Sequence, residues 1–140
     1  MIRNPESIRP WQHVLEPLQG YIVLAEQLLT HGKAFAQAWN FGPSEEDARP
    51  VRWIVDRFVK QWGKEATWQQ DQSPRPHEAG VLRVDSTLAR QKLGWRPRLR
   101  LPEAVDLTVD WYRRSIAGED AATITLQQIA QYQQRSPANS

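Results

Sequence analysis

The stretch Arg9-Pro10-Trp11-Gln12-His13-Val14-Leu15-Glu16-Pro17-Leu18, running on through Gly20-Tyr21-Ile22-Val23-Leu24-Ala25-Glu26-Gln27-Leu28-Leu29, decides how the rest of the chain is read. It opens with an arginine ahead of aromatic and β-branched residues, which predicts a short strand. Pro17 suits the first turn of a helix, where its missing N–H costs little. Beyond it, Leu18, Tyr21, Ile22, Ala25, Leu28 and Leu29 recur three and four apart, which predicts one apolar helical face packed behind the strand. An arginine held rigidly at the end of such a strand suits a phosphate, because its planar fork donates two parallel hydrogen bonds to paired oxygens. The alternative is a surface arginine paired with a carboxylate such as Glu16, a contact of little energetic weight.

Upstream, residues 1–5 read as the end of a strand and Asn4-Pro5-Glu6-Ser7 as a turn, so that residues 8–14 return antiparallel in a hairpin. The chain then opens inside one arm of that hairpin, which predicts further sequence before it. Downstream, His31-Gly32-Lys33 closes the first helix with a glycine at a left-handed position. Residues 36–41 read as a strand, and Glu45-Glu46-Asp47 favours the start of the next helix through its dipole. Pro50 fits that helix's first turn, and Val51, Ile54, Val55, Phe58, Val59 and Trp62 form its apolar stripe, stopped by Gly63. Residues 66–70 read as a strand and 69–76 as a polar, proline-containing loop.

Residues 81–85 alternate as a half-buried strand does. Asp85-Ser86 caps a short helix through Leu93, ended by Gly94 with Pro97 beyond. A further helix has Pro102 in its first turn, buries Leu101, Ala104, Val105, Thr108 and Tyr112, and ends at Gly118. Leu126, Ile129 and Tyr132 predict a terminal helix over 125–132, and the polar residues from 131 onward fray. Three or four short strands and as many amphipathic helices make a mixed α/β fold, with too few strands for a complete doubly wound sheet.

The whole chain narrows the function. A length of 140 residues fits one domain. No apolar run approaches the ~20 residues of a membrane span. The net charge of +2, with Lys and Arg scattered, argues against a nucleic-acid footprint. The absence of cysteine excludes disulfides and thiolate metal sites. No signal-peptide core opens the chain, which makes the cytoplasm the expected location. Seven tryptophans are many for this length, and core packing is the first expectation for each. His13, His31 and His77 have no metal-ligand spacing. There is no Gly-x-Gly-x-x-Gly or P-loop pattern, no nucleophile elbow, and no lysine four residues after Tyr21, Tyr112 or Tyr132. No catalytic residue is therefore expected in this chain.

Several segments taken together carry a resemblance. Ile2-Arg3-Asn4-Pro5, the block from Arg9 to Leu18, Trp39-Asn40-Phe41-Gly42-Pro43, Pro76-His77-Glu78-Ala79 and Leu93-Gly94-Trp95-Arg96-Pro97 occur in this order. With the Thr125-Leu126-Gln127-Gln128-Ile129 segment they resemble the C-terminal part of the CDP-glucose 4,6-dehydratase family, lyases of the extended short-chain dehydrogenase/reductase group. The long block from Arg9 is specific to that family; the Asn-x-Gly and Leu-Gly-Trp-x-Pro pieces occur across nucleotide-sugar enzymes.

The resemblance implies a two-lobed enzyme. A Rossmann lobe holds NAD and the Tyr-x-x-x-Lys pair, oxidises C4 of CDP-glucose and eliminates water across C5–C6 to give CDP-4-keto-6-deoxyglucose. A smaller C-terminal lobe grips the nucleotide diphosphate. This chain resembles the smaller lobe, residues 1–135 with a disordered tail at 136–140, inactive alone and needing the Rossmann lobe in cis or in trans. It implies Arg9 and Arg75 on the diphosphate, Trp11 beside the nucleoside, Val51 on the base, Glu78 near the ribose, and His77 either donating to a phosphate or capping its loop. For Trp11 and Val51 the competing reading is plain core packing, for Arg75 an exposed loop residue, and for Asn40 a strand-end role. A UDP- or dTDP-hexose enzyme, or an interaction protein that has kept the fold without the ligand, are the alternatives. The implied pathway is dideoxyhexose synthesis for a surface polysaccharide such as O-antigen.

Overall fold

Prolines and glycines mark most of the helix boundaries. The computed structural model describes residues 1–63, 65–73 and 79–138. In chain order these form β1 (Ile8–Pro10), α1 (Leu15–His31), β2 (Ala48–Pro50), α2 (Val51–Trp62), α3 (Thr87–Lys92), α4 (Leu101–Ile116) and α5 (Ala121–Gln133). Pro17 lies in the first turn of α1, Pro50 immediately precedes α2, and Pro102 is the second residue of α4, positions where a missing N–H goes unused. Gly32 (φ 59°) and Gly94 (φ 65°) turn the chain out of α1 and α3 through the left-handed region that side chains disfavour. The mixed α/β class expected from the sequence holds, with helices dominant.

The strands depart most from expectation. The turn at Pro5-Glu6 forms, with Ser7 N–H donating to Asn4 O at 3.1 Å, but the hairpin does not. β1 instead pairs antiparallel with β2, Arg9 facing Arg49. Ile2 bridges Gln70, and Ile8 bridges Val81, both parallel. The strands expected at 66–70 and 81–85 shrink to those bridges, and the one at 36–41 is an irregular run after a single 3-10 turn at Gly32–Phe35. Proline explains the short ladder: Pro10 and Pro50 lack the N–H that would extend it. Glu45–Asp47 is likewise a turn of its own ahead of β2, separate from α2.

Helices supply the core in three patches. Phe41, Ala89 and Trp95 pack with Leu24, Trp39 and Leu93. Leu99, Ala104 and Tyr132 pack with Leu15 and Leu107. Leu101, Val105 and Val109 receive Trp53, Ile54, Phe58 and Trp62, the stripe that α2 lays on α4, and Trp11 from the segment after β1. Arg57 clamps that contact with a two-toothed bond to Asp106, at 2.6 and 2.9 Å. Among the tryptophans only Trp95 is buried; the others are half-buried.

Three expected faces are corrected. In α4 Leu101, Ala104 and Val105 are buried as expected and Val109 joins them, whereas Thr108 is half-buried and Tyr112 exposed. In α5 Ile124, Gln128 and Tyr132 face inward four residues apart, whereas Leu126 is exposed. In α1 the expected stripe is largely outside: Leu18, Tyr21, Ile22 and Leu29 are exposed, while Glu16 and Gly20 are buried. Gly20 sets that rotation. A Cβ built there would overlap the Phe41 ring, 2.7 Å from Cε1, so the helix docks on its small side and turns its apolar stripe outward.

Candidate functional site

The central strand pair sets the frame of the site. Arg9 and Arg49 are direct partners across β1 and β2, so their side chains leave the same face, where like charges repel. Arg9 Nη1 donates to Ile8 O at 2.9 Å and to Ala79 O at 3.0 Å. Since the guanidinium is planar, these two carbonyls fix the plane of its fork. Glu16, the carboxylate considered as a surface partner, is buried elsewhere. Trp11 Nε1 donates to Arg49 O at 3.0 Å, which anchors its indole to the neighbouring strand. Val51 N–H donates to Ser7 O at 3.0 Å, fixing the start of α2 beside the Pro5 turn.

Those anchors bring Arg9, Trp11 and Val51 to one open cleft of about 520 Å³, lined also by Arg3, Asn4 and Ser7. The cleft thus joins guanidinium groups, an aromatic face and small polar groups, the chemistry that holds a phosphate attached to a ring. Arg75, His77 and Glu78 lie outside the described residues. Ala79, the first described residue after them, accepts from Arg9 Nη1. Asn40 is exposed beside the buried Phe41. Sequence reasoning missed Arg3, which lines the cleft, and Arg49, which faces Arg9 across the strands without lining it. Both stand in quoted or adjoining segments, but only the cross-strand register places Arg49 opposite Arg9.

Behind the cleft, the rest of the Arg9–Leu18 block forms a rigid corner. Gln12 Nε2 donates to Phe41 O at 2.8 Å. His13 is buried, its Nδ1 accepts from Leu15 N–H at 3.3 Å, and burial holds it below the usual histidine range, so it is neutral at pH 7. Glu16 accepts from the backbone N–H of Arg98 (3.0 Å) and Leu99 (2.8 Å) and from Tyr132 Oη (2.8 Å). Burial raises the Glu16 carboxyl, and these bonds pull it back. The three bonds tie α1, the segment before α4 and α5 into one support for the strand that carries Arg9.

The sheet is two antiparallel strands of three residues, and the described residues contain no parallel strand leading through a glycine turn into a helix. Among the described residues no cluster of side chains is suited to a metal ion, and no helix is long and apolar enough to cross a membrane.

By sequence the chain is similar to part of a nucleotide-sugar dehydratase and, more weakly, to part of a nucleotide-sugar epimerase. It is 49% identical over 132 residues, 94% of its length, to CDP-glucose 4,6-dehydratase from Salmonella typhimurium (strain LT2). It is 26% identical over 115 residues, 82% of its length, to UDP-glucose 4-epimerase from Caenorhabditis elegans. These stretches are 37% and 32% of the two proteins, so the chain spans about a third of the length of the curated relatives it matches. No protein-family model matches it. The resemblance carried by the Arg9–Leu18 block and its companion segments is thereby shown.

Proposed function

We propose that this chain is the nucleotide-sugar-gripping lobe of an enzyme of the CDP-glucose 4,6-dehydratase type, and that its ligand is the diphosphate and nucleoside of CDP-glucose. The observation that carries the reading is the convergence of Arg9, Trp11 and Val51 on one cleft. In this reading Arg9 donates its fork to the diphosphate, Trp11 flanks the nucleoside and Val51 meets the base. Arg75, His77 and Glu78 belong to the same site as a second phosphate arginine, a phosphate donor and a ribose acceptor. Residues 1–135 form the lobe and 136–140 its tail.

The chain binds and orients; no catalytic step is assigned to it. Oxidation at C4 and loss of water across C5–C6 belong to a Rossmann lobe that carries NAD, supplied in cis or in trans, and the chain alone is inactive. The exposed α1 stripe of Leu18, Tyr21, Ile22 and Leu29 supports a partner lobe, because an apolar helical face of this kind gains stability by being covered. The complete enzyme is a cytoplasmic lyase acting before a surface polysaccharide such as O-antigen is built.

Calorimetric titration of the chain with CDP, beside an Arg9→Ala variant, tests this. Saturable binding in the micromolar to low-millimolar range, lost in the variant, is expected. Heat equal to dilution from the folded chain would sink the binding role. A UDP titration run in parallel separates the second reading, which the epimerase similarity favours: UDP bound more tightly than CDP would assign the lobe to a UDP-hexose enzyme.

A further inference from the structure

A separate cavity of about 380 Å³ shares only Pro10 with the Arg9 cleft, and two arginines open onto it. Arg90 reaches it from α3. Its Nη2 makes one long bond, 3.3 Å, to Pro43 O, and its Nε is buried with no hydrogen-bond partner among the described residues. A buried donor on a cation left unmade is costly, so the protein alone does not meet this side chain's demand. Arg83 reaches the same cavity, is exposed, and makes no hydrogen bond or ion pair among the described residues. Two under-committed guanidinium groups on one cavity match a phosphate, whose oxygens accept from both forks.

The remaining lining decides what carries that phosphate. Ser44, Glu45, Asp85 and Thr87 edge the cavity. Asp85 is held in place, its Oδ1 accepting from Thr87 N–H at 2.8 Å. Two carboxylates would repel a bare inorganic anion, but they accept hydrogen bonds from hydroxyl groups, as the Ser44 and Thr87 oxygens do. We propose that this cavity binds a sugar phosphate, Arg83 and Arg90 on the phosphate and Glu45, Asp85 and Ser44 on the sugar hydroxyls. The assignment does not rest on the nucleotide-sugar reading of the Arg9 cleft, because the residues differ.

The test is calorimetric titration of the full 140-residue chain with glucose 1-phosphate, inorganic phosphate and glucose, on wild type, Arg83→Gln, Arg90→Gln and Arg9→Ala, with folding checked by circular dichroism. The expected result is saturable binding of glucose 1-phosphate, weakened roughly tenfold or more in each of the Arg83 and Arg90 variants and persisting in Arg9→Ala. Inorganic phosphate should bind more weakly than glucose 1-phosphate, and glucose not at all. Arg83 is exposed, so its variant keeps the test informative if Arg90→Gln unfolds. Loss in Arg9→Ala with Arg83→Gln unaffected would move the phosphate to the other cleft and overturn the proposal. So would the absence of saturable binding, or inorganic phosphate binding as tightly as the sugar phosphate.

Discussion

Tyr132 Oη donates to Glu16 Oε2 at 2.8 Å across 116 positions of sequence, joining the last helix to the first inside the core. Because Glu16 also accepts from Arg98 and Leu99, one buried carboxylate organises three segments. Burial raises the Glu16 carboxyl above its ordinary value of 4.5, so the folded chain holds that proton more tightly than the unfolded chain. The stability this contributes is whole below about pH 4.5 and is lost as pH climbs through the raised value.

Tyr132→Phe removes a bond that pulls Glu16 down, so the carboxyl rises further and loses a partner when ionised. The expected loss is about 1–3 kcal/mol at neutral pH, and less in acid where Glu16 is protonated. Thermal melts of both proteins across pH 4–8 read this directly. A deficit independent of pH would show that lost packing, and not the hydrogen bond, accounts for the cost.

Gly20→Ala sets helix propensity against packing. Alanine favours a helix by about 1 kcal/mol, whereas the added methyl meets the Phe41 ring, which is locked edge-on against Trp95 with centroids 5.1 Å apart. Overpacking of this kind costs about 1–3 kcal/mol, and net destabilisation is expected in urea unfolding. An unchanged or higher midpoint would mean that α1 shifts freely on its bed.

Arg9→Lys distinguishes a fork from a charge. Lysine keeps the cation but cannot hold the Ile8 and Ala79 carbonyls and a phosphate in one plane. CDP affinity should fall roughly tenfold, approaching that of Arg9→Ala. Full affinity in the lysine variant would reduce the role of Arg9 to simple charge.

The exposed stripe on α1 should make the isolated chain self-associate. Replacing both Leu18 and Ile22 by lysine leaves the buried side of the helix intact and should shift sedimentation toward monomer without lowering the melting temperature. A wild-type chain that is already monomeric at high concentration, and melts above ~65 °C, would contradict this.

Helix existence was legible locally, because it depends on residues three or four apart and on caps. The α2 stripe, the Pro102 start and the Gly32 and Gly94 stops were all readable from neighbours. Arg9 and Trp11 could be named as candidates from the sequence because the block that carries them is distinctive, and Val51 was named through the family resemblance alone. Strand partners were not legible. Residues 66–70 and 81–85 have strand-like patterns, but pairing is decided by distant chain, here Ile2 and Ile8, and by prolines that cut the ladder short.

The direction of a helix face also belonged to the tertiary structure. Periodicity in α1 identifies an apolar stripe, yet it says nothing about which side another element covers. The contact of Gly20 with Phe41, and the three bonds that draw Glu16 inward, turned that stripe to the outside. The sequence by itself determined the helices and most of their ends, although α5 starts at Ala121 and runs to Gln133, beyond both expected limits. Only the fold decided which arginines meet: Arg9 with Arg49 across two strands, Arg83 with Arg90 around one cavity. Such proximity depends on the distance between segments far apart in the chain, which no local pattern encodes.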